Sequence, residues 1–270
     1  MRNLAILWCA ALVACDPPDE VGPVTVTTED SARDFPSLEK IEGEWRVVSI
    51  DGTSLPERLA DGEVPRLTLA GDRASGDLGC NSFGAFSLYA DGRFATHSWS
   101  STAMYCEGVS ELEQVLSELF LKHPLVRRQG NELTLNSENH SAVLAFRGPT
   151  PLTSADPVPQ ALSGTRWRIS FLDRSEEGNN PANRFIEFAD NKWNAVASCL
   201  TQSGRYRREG GRLMVDDEIA IEEQLCLPQY AALDDAFAAL MRSKPRYVIG
   251  SNGELIIAGG GHVLTGGLIE

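Results

Sequence analysis

The stretch "LGCNSFGAFSLYADGR" at residues 78–93 has a partner at residues 197–212, "ASCLTQSGRYRREGGR". Cys80 and Cys199 lie 119 residues apart, and Gly92/Gly211 and Arg93/Arg212 keep the same offset. Fixed points preserved while the residues between them change describe a repeated scaffold. The surroundings repeat as well. "EWRVVSI" (44–50) is answered by "TRWRISFLD" (165–173), and an apolar-x-Gly triplet precedes each, Ile41-Glu42-Gly43 and Leu162-Ser163-Gly164. Gln129-Gly130-Asn131-Glu132 is matched by Ser251-Asn252-Gly253-Glu254. The chain therefore reads as two tandem copies of about 110 residues each, an ordinary size for one domain. The first copy covers residues 41–148 and the second 161–270, with a Pro/Ser/Thr-rich linker at 149–160.

Inside each copy, alternating apolar and polar residues predict half-buried strands. A hairpin is expected over 83–96, turning at Ala90-Asp91-Gly92. The period then changes: Val109, Leu112, Val115, Leu116, Leu119 and Phe120 share one helical face. Ser110 and Glu113 have the spacing of a capping box, and Pro124 stops the helix. The second copy predicts its helix from about Pro228 to Ser243, ahead of Pro245. Trp45 and Trp167 hold equivalent first-strand positions and are expected in the cores; Trp99 lies outside the repeat and is the candidate for a surface contact.

The first fourteen residues have the build of a signal peptide: Arg2, then an apolar run from Leu4 to Ala14. That run is too short for a membrane-spanning helix, which needs about 20 residues. It ends Leu12-Val13-Ala14-Cys15, which resembles a bacterial lipobox, so Cys15 is expected to be acylated as the mature N-terminus. Residues 15–40 follow as an acidic tether with two adjacent prolines and few large apolar groups. Such a tether reaches roughly 25–30 Å when flexible. The formal charge of −14 becomes −15 once Arg2 is removed, which argues against nucleic acid and against a bare electrostatic hold on anionic lipid. If charge selects a partner, that partner is a cationic protein or peptide.

With Cys9 in the signal segment and Cys15 at the lipid, four cysteines remain: Cys80, Cys106, Cys199 and Cys226. An even number in an exported chain points to disulfides, and four cysteines allow three pairings. The pairing that keeps each bridge within its own copy is Cys80–Cys106 with Cys199–Cys226.

These residues resemble the META-domain family, which includes heat-shock proteins of the HslJ type. The family pattern is GCNxxxGxY, followed about 25 residues later by TxxxC. The first copy carries Gly79-Cys80-Asn81 and Thr102 through Cys106, with Gly84 and Phe86 one residue early. The second copy carries Gly204 and Tyr206 in the family spacing, but has Leu200 for Asn81 and Glu222 for Thr102. The resemblance implies an α+β architecture: two tandem domains, each a curved, partly barrel-like antiparallel sheet with one packed helix. Asn81 and Thr102 are read as hydrogen-bonding groups beside the bridge, with a ligand contact as the alternative.

No catalytic motif emerges. His97, His123, His140 and His262 are scattered, without partners at metal-ligand spacing. Ser37-Leu38-Glu39-Lys40 matches SxxK, but inside the tether and without its companion motifs. Asp216-Asp217-Glu218 and Glu222-Glu223 lack the spacing of a calcium loop. The expectation is a non-catalytic lipoprotein of the bacterial envelope, with no metal and no cofactor. It would be anchored in the inner or outer membrane, with its domains periplasmic or extracellular. The resemblance adds a link to envelope or heat stress. The alternatives are an acidic binding module or inhibitor for a cationic partner, and a chaperone or secretion accessory for apolar segments using a groove between sheet and helix.

Overall fold

The strand alternation read from the sequence produces two closed barrels. The computed structural model describes residues 38–59, 63–150, 161–173, 175–176, 183–222 and 225–269. The signal segment, Cys15, most of the tether and residues 151–160 of the linker lie outside them.

The first copy opens with one helical turn, α1 (Leu38–Ile41), and continues through β1 (Gly43–Ile50), β2 (Thr53–Ser54), β3 (Arg66–Ala70) and β4 (Arg73–Asp77). The hairpin β5 (Ser82–Ala90) and β6 (Arg93–Ser101) precedes helix α2 (Ser110–Leu121), and β7 (Leu125–Gln129), β8 (Glu132–Asn136) and β9 (Ser141–Gly148) finish it. The second copy runs β10 (Thr165–Leu172), β11 (Ser175–Glu176), β12 (Phe185–Ala189), β13 (Lys192–Val196), β14 (Thr201–Glu209), β15 (Arg212–Val215) and β16 (Ala220–Glu222). Helix α3 (Pro228–Arg242) follows, then β17 (Arg246–Ile249), β18 (Glu254–Gly259) and β19 (His262–Ile269). All pairings are antiparallel. Because β1 pairs with β9 as well as β3, eight strands close the first barrel; β10 with β19 closes the second. Each ring is thinnest where its helix crosses: β6 meets β7 at Arg93–Leu125, and β15 meets β17 at Arg212–Arg246.

Trp45 and Trp167 are buried in the two cores as anchors. The copies fill the next layer differently. In the second, Trp193 faces Gly204 across the ladder, and a Cβ on Gly204 would stand 2.9 Å from the indole Nε1. The equivalent cross-strand pair in the first copy is Ala74 and Ala85. Its missing volume is supplied by a stack of Phe83 on Trp99 at 4.5 Å, with Trp99 on Phe120 at 5.8 Å. Trp99 thus packs against the core instead of forming a surface contact. Leu116, Leu119 and Phe120 of α2 and Phe237, Leu240 and Met241 of α3 fill the space between helix and sheet.

The copies are joined face to face. Phe86, Leu88, Ala90 and Ala95 on the outer face of β5–β6 form one apolar cluster with Ile256, Ala258 and Val263 of β18–β19. The contact is heterologous: it uses one face of the first barrel and a different face of the second. The faces left over are mostly polar. At the positions equivalent to Phe86, Leu88, Ala90 and Ala95, the second copy has Arg205, Arg207, Glu209 and Met214. At those equivalent to Val248, Ile256, Ala258 and Val263, the first has Arg127, Thr134, Asn136 and Ser141. A head-to-tail contact is thereby stopped after one step. Polar bonds rim it: Arg93 Nε donates to the Gly261 carbonyl at 2.8 Å, and Gly260 N donates to Asp91 Oδ2 at 3.1 Å. Arg212 pairs with Asp91 at 3.5 Å.

The recurring Gly-Arg of the hairpins acquires a reason. Arg93 Nη1 donates to the His123 carbonyl at 2.9 Å, and Arg212 Nη1 to the Lys244 carbonyl at 3.0 Å. His123 and Lys244 are the left-handed residues that end α2 and α3. Each arginine therefore ties its hairpin to the end of its helix.

Replacing Ile256 by threonine, the residue of the first copy at that position, should destabilise the protein by about 2 kcal/mol through lost burial and an added buried hydroxyl. The midpoint of urea unfolding measures this, with Thr134→Ser on the free face as the near-neutral control.

Candidate functional site

The family motif builds a polar clamp at the first bridge. Cys80 and Cys106 form a disulfide across 26 residues, and Cys199 and Cys226 another across 27. Gly79 sits at φ +133°, and a Cβ there would come within 2.5 Å of Val109 Cγ1, so glycine lets the helix start close against the loop. Glu113 of α2 accepts from Cys80 N at 2.8 Å and from Asn81 N, while its other oxygen accepts from Asn81 Nδ2 at 2.8 Å. Asn81 Nδ2 also donates to the Met104 carbonyl; Asn81 Oδ1 accepts from Met104 N and Thr102 Oγ1. Asn81 is buried, and every polar atom of its amide is used within the clamp. The capping-box expectation is corrected here: Val109 is the N-cap without a side-chain bond, and Ser110 Oγ donates to the Cys106 carbonyl. Glu113 is spent on the cysteine loop.

In the second copy Asp234 of α3 takes Glu113's place, accepting from Cys199 N at 3.0 Å and Leu200 N at 3.1 Å. With Leu200 in place of Asn81, the nearby side-chain amide is that of buried Gln202, whose Nε2 donates to the Asp234 backbone carbonyl at 2.9 Å. Gly204 and Tyr206 lie on β14, the glycine giving room to Trp193 and the buried tyrosine packing on Phe188 at 5.2 Å. Cys15 lies outside the described residues.

A second place was missed in the sequence. Three of the four histidines treated as scattered line one cleft between the copies, of about 620 Å³, together with Arg93, Lys122 and Phe171. His123 is buried, its ring 4.3 Å from Phe171 across the junction. Its Nδ1 accepts from Thr96 N at 3.1 Å, so the neutral ring carries its proton on Nε2. Burial, reinforced by Arg93 and His97, holds its pKa down at about 3. His140 and His262 are pushed the other way. His140 Nδ1 meets Asp51 Oδ2 at 2.8 Å, and His262 Nδ1 meets Asp173 Oδ2 at 2.7 Å; these bonds raise both imidazoles. The other oxygens of Asp51 and Asp173 accept from Ser141 N and Val263 N. Each Asp–His pair therefore bridges the seam where first and last strands close a barrel. The signal was available: the aspartate precedes its histidine by 89 residues in both copies.

A shallower groove of about 820 Å³ lies on the outside of the second barrel, where Glu187, Asp216, Asp217 and Glu218 face Lys192 and Arg205. Among the described residues the cluster with metal-ligand spacing is Cys199, Cys226 and Asp234, whose sulfurs are joined in the disulfide.

Comparison with known families places these features. The model of the META domain matches residues 37–149 and again 160–266. The chain belongs to the META domain family, in two copies. No curated protein matches. A structure solved by NMR is 20% identical, covering 42% of this chain and 96% of its own, with a TM-score of 0.37. An NMR structure from Burkholderia xenovorans is 19% identical, covering 53% of this chain and 99% of its own, with a TM-score of 0.35. A sliding clamp of Helicobacter pylori is 10% identical, covering 76% of this chain and 56% of its own, with a TM-score of 0.20.

The seam pairs carry a pH signature. His140 and His262 have raised folded pKa values, so their contribution is complete below the ordinary histidine range and is lost as pH rises through the raised values. Asp51, held low first by the Ser141 amide and then by His140, contributes above the ordinary carboxylate range and loses this as pH falls through its lowered value. Buried His123 opposes the histidine trend in the intact protein, so the comparison with a variant is the diagnostic quantity. The gap in melting temperature between wild type and His140→Gln/His262→Gln should be widest near about pH 6 and shrink toward about pH 9. A gap independent of pH would contradict the assignment.

Proposed function

We propose that this is a non-catalytic lipoprotein of the bacterial envelope. It is anchored through acylated Cys15 and holds its fused META pair clear of the membrane on the acidic tether. The observation that carries the reading is the pair of internal disulfides downstream of an apolar run ending at Cys15. Structural disulfides persist in oxidising compartments outside the cytoplasm. The lipobox-like Leu12-Val13-Ala14-Cys15 supplies the anchor. The family resemblance supports a part in envelope or heat stress.

In this role the junction between the copies matters more than either barrel alone. It builds the histidine-lined cleft from both copies, so a ligand or partner held there meets a surface that one META domain does not offer. Expression of the full chain and of Cys15→Ser in a bacterial host tests the anchor. The wild type should fractionate with membranes, with a mass showing loss of residues 1–14 and addition of acyl chains. Cys15→Ser should be unacylated and leave the membrane fraction. An unacylated wild type in the soluble fraction would overturn the proposal.

A further inference from the structure

The two bridges are not chemically equivalent. Beside Cys80–Cys106, Glu113 has both carboxylate oxygens engaged by Cys80 N, Asn81 N and Asn81 Nδ2. Beside Cys199–Cys226, Asp234 is only 1% exposed, and its Oδ1 has no hydrogen-bond partner. A carboxylate oxygen of Asp234 and both sulfurs all lie within 4.8 Å of one another. The bridge also opens on a groove of about 420 Å³ lined by Val196, Ser198, Cys199, Leu225, Leu227 and Tyr230. Ser198 in that lining is buried, and its hydroxyl is likewise unpartnered. Leu225 and Leu227 flank Cys226 and are among the most exposed large apolar residues described, Leu225 fully so. An apolar rim around an accessible disulfide, with a buried acid behind it, suits an unfolded or extended peptide that carries thiols.

We propose that Cys199–Cys226 is a redox-active disulfide that oxidises cysteine pairs of extended polypeptides, with Asp234 as its proton donor and acceptor. A substrate thiolate attacks Cys199, forming a substrate–Cys199 mixed disulfide and breaking the Cys199–Cys226 bond. The departing Cys226 thiolate takes the proton of the Asp234 carboxyl. The Asp234 carboxylate then removes the proton of the second substrate thiol, which attacks the substrate sulfur and releases Cys199 as a thiolate that is protonated from solvent. Two electrons pass from the substrate dithiol to the protein disulfide, so the bridge is consumed once per substrate and the protein acts as a stoichiometric oxidant, not a catalyst. Burial raises the Asp234 carboxyl above the ordinary carboxylate range, opposed by the amides of Cys199, Leu200 and Ser198 and by the Gln202 side chain.

The first copy serves as an internal control in the same molecule. The full chain is exposed to dithiothreitol with a chelator present, and alkylated peptides are quantified by mass over time and pH. Cys199–Cys226 should react faster than Cys80–Cys106 by roughly a hundredfold, the low end of what positioned proton transfer contributes. Asp234→Asn should remove most of that advantage and flatten its pH dependence. Should that variant fail to fold, Leu200→Asn decides: it restores the amide that the first copy uses to occupy the carboxylate, and should slow reduction while the protein stays folded. Equal rates for the two bridges, or a pH profile unchanged in Asp234→Asn or Leu200→Asn, would overturn the proposal.

Discussion

A strand apolar on both faces needs something on each side of it. In this protein β5 and β18 are such strands: their inward residues fill a barrel and their outward residues fill the junction between barrels. Much else follows from that contact. It places Phe171 of the second copy against His123 of the first, brings the Asp173–His262 pair to the mouth of the shared cleft, and gives Asp91 of the first hairpin the backbone of Gly260 and the Arg212 side chain as partners. A linker alone would leave two barrels at independent orientations. The apolar face makes them one object.

The duplicated scaffold and the differences laid over it have separate physical roles. Invariant points are those where geometry allows little choice: the bridge cysteines, the arginine that caps the helix end, and the aspartate and histidine across the seam. Elsewhere the copies solve the same packing problem with different parts. Ala74 and Ala85 with a Phe–Trp–Phe stack in one copy occupy the layer that Trp193 and Gly204 occupy in the other. Either arrangement fills a core at constant volume; a mixture would leave a hole or a clash.

Much of this was readable in the residues. Alternation, turn glycines and the helical faces before Pro124 and Pro245 report local backbone geometry, and the repeat restricts the cysteine pairing. What was hidden depends on which residues meet in space. Alternation read one copy at a time takes Leu88 or Ile256 as exposed residues; their burial shows only against Arg207 and Thr134 at the matching positions. The histidines looked unrelated because their partners stand 89 residues away across the seam. Trp99 looked like an outlier because its stacking partners Phe83 and Phe120 lie on another strand and on the helix. Glu113 fitted a local capping pattern, but two amides of the cysteine loop are stronger partners than its own helix end.

The central claim is that the two META copies form one cooperative unit through their shared apolar face. Equilibrium urea unfolding of the oxidised chain, followed together by tryptophan fluorescence and far-ultraviolet circular dichroism, tests it most directly. With buried tryptophans in both barrels, the account predicts one transition with coincident midpoints for both probes. Two separated transitions, one for each barrel, would contradict it.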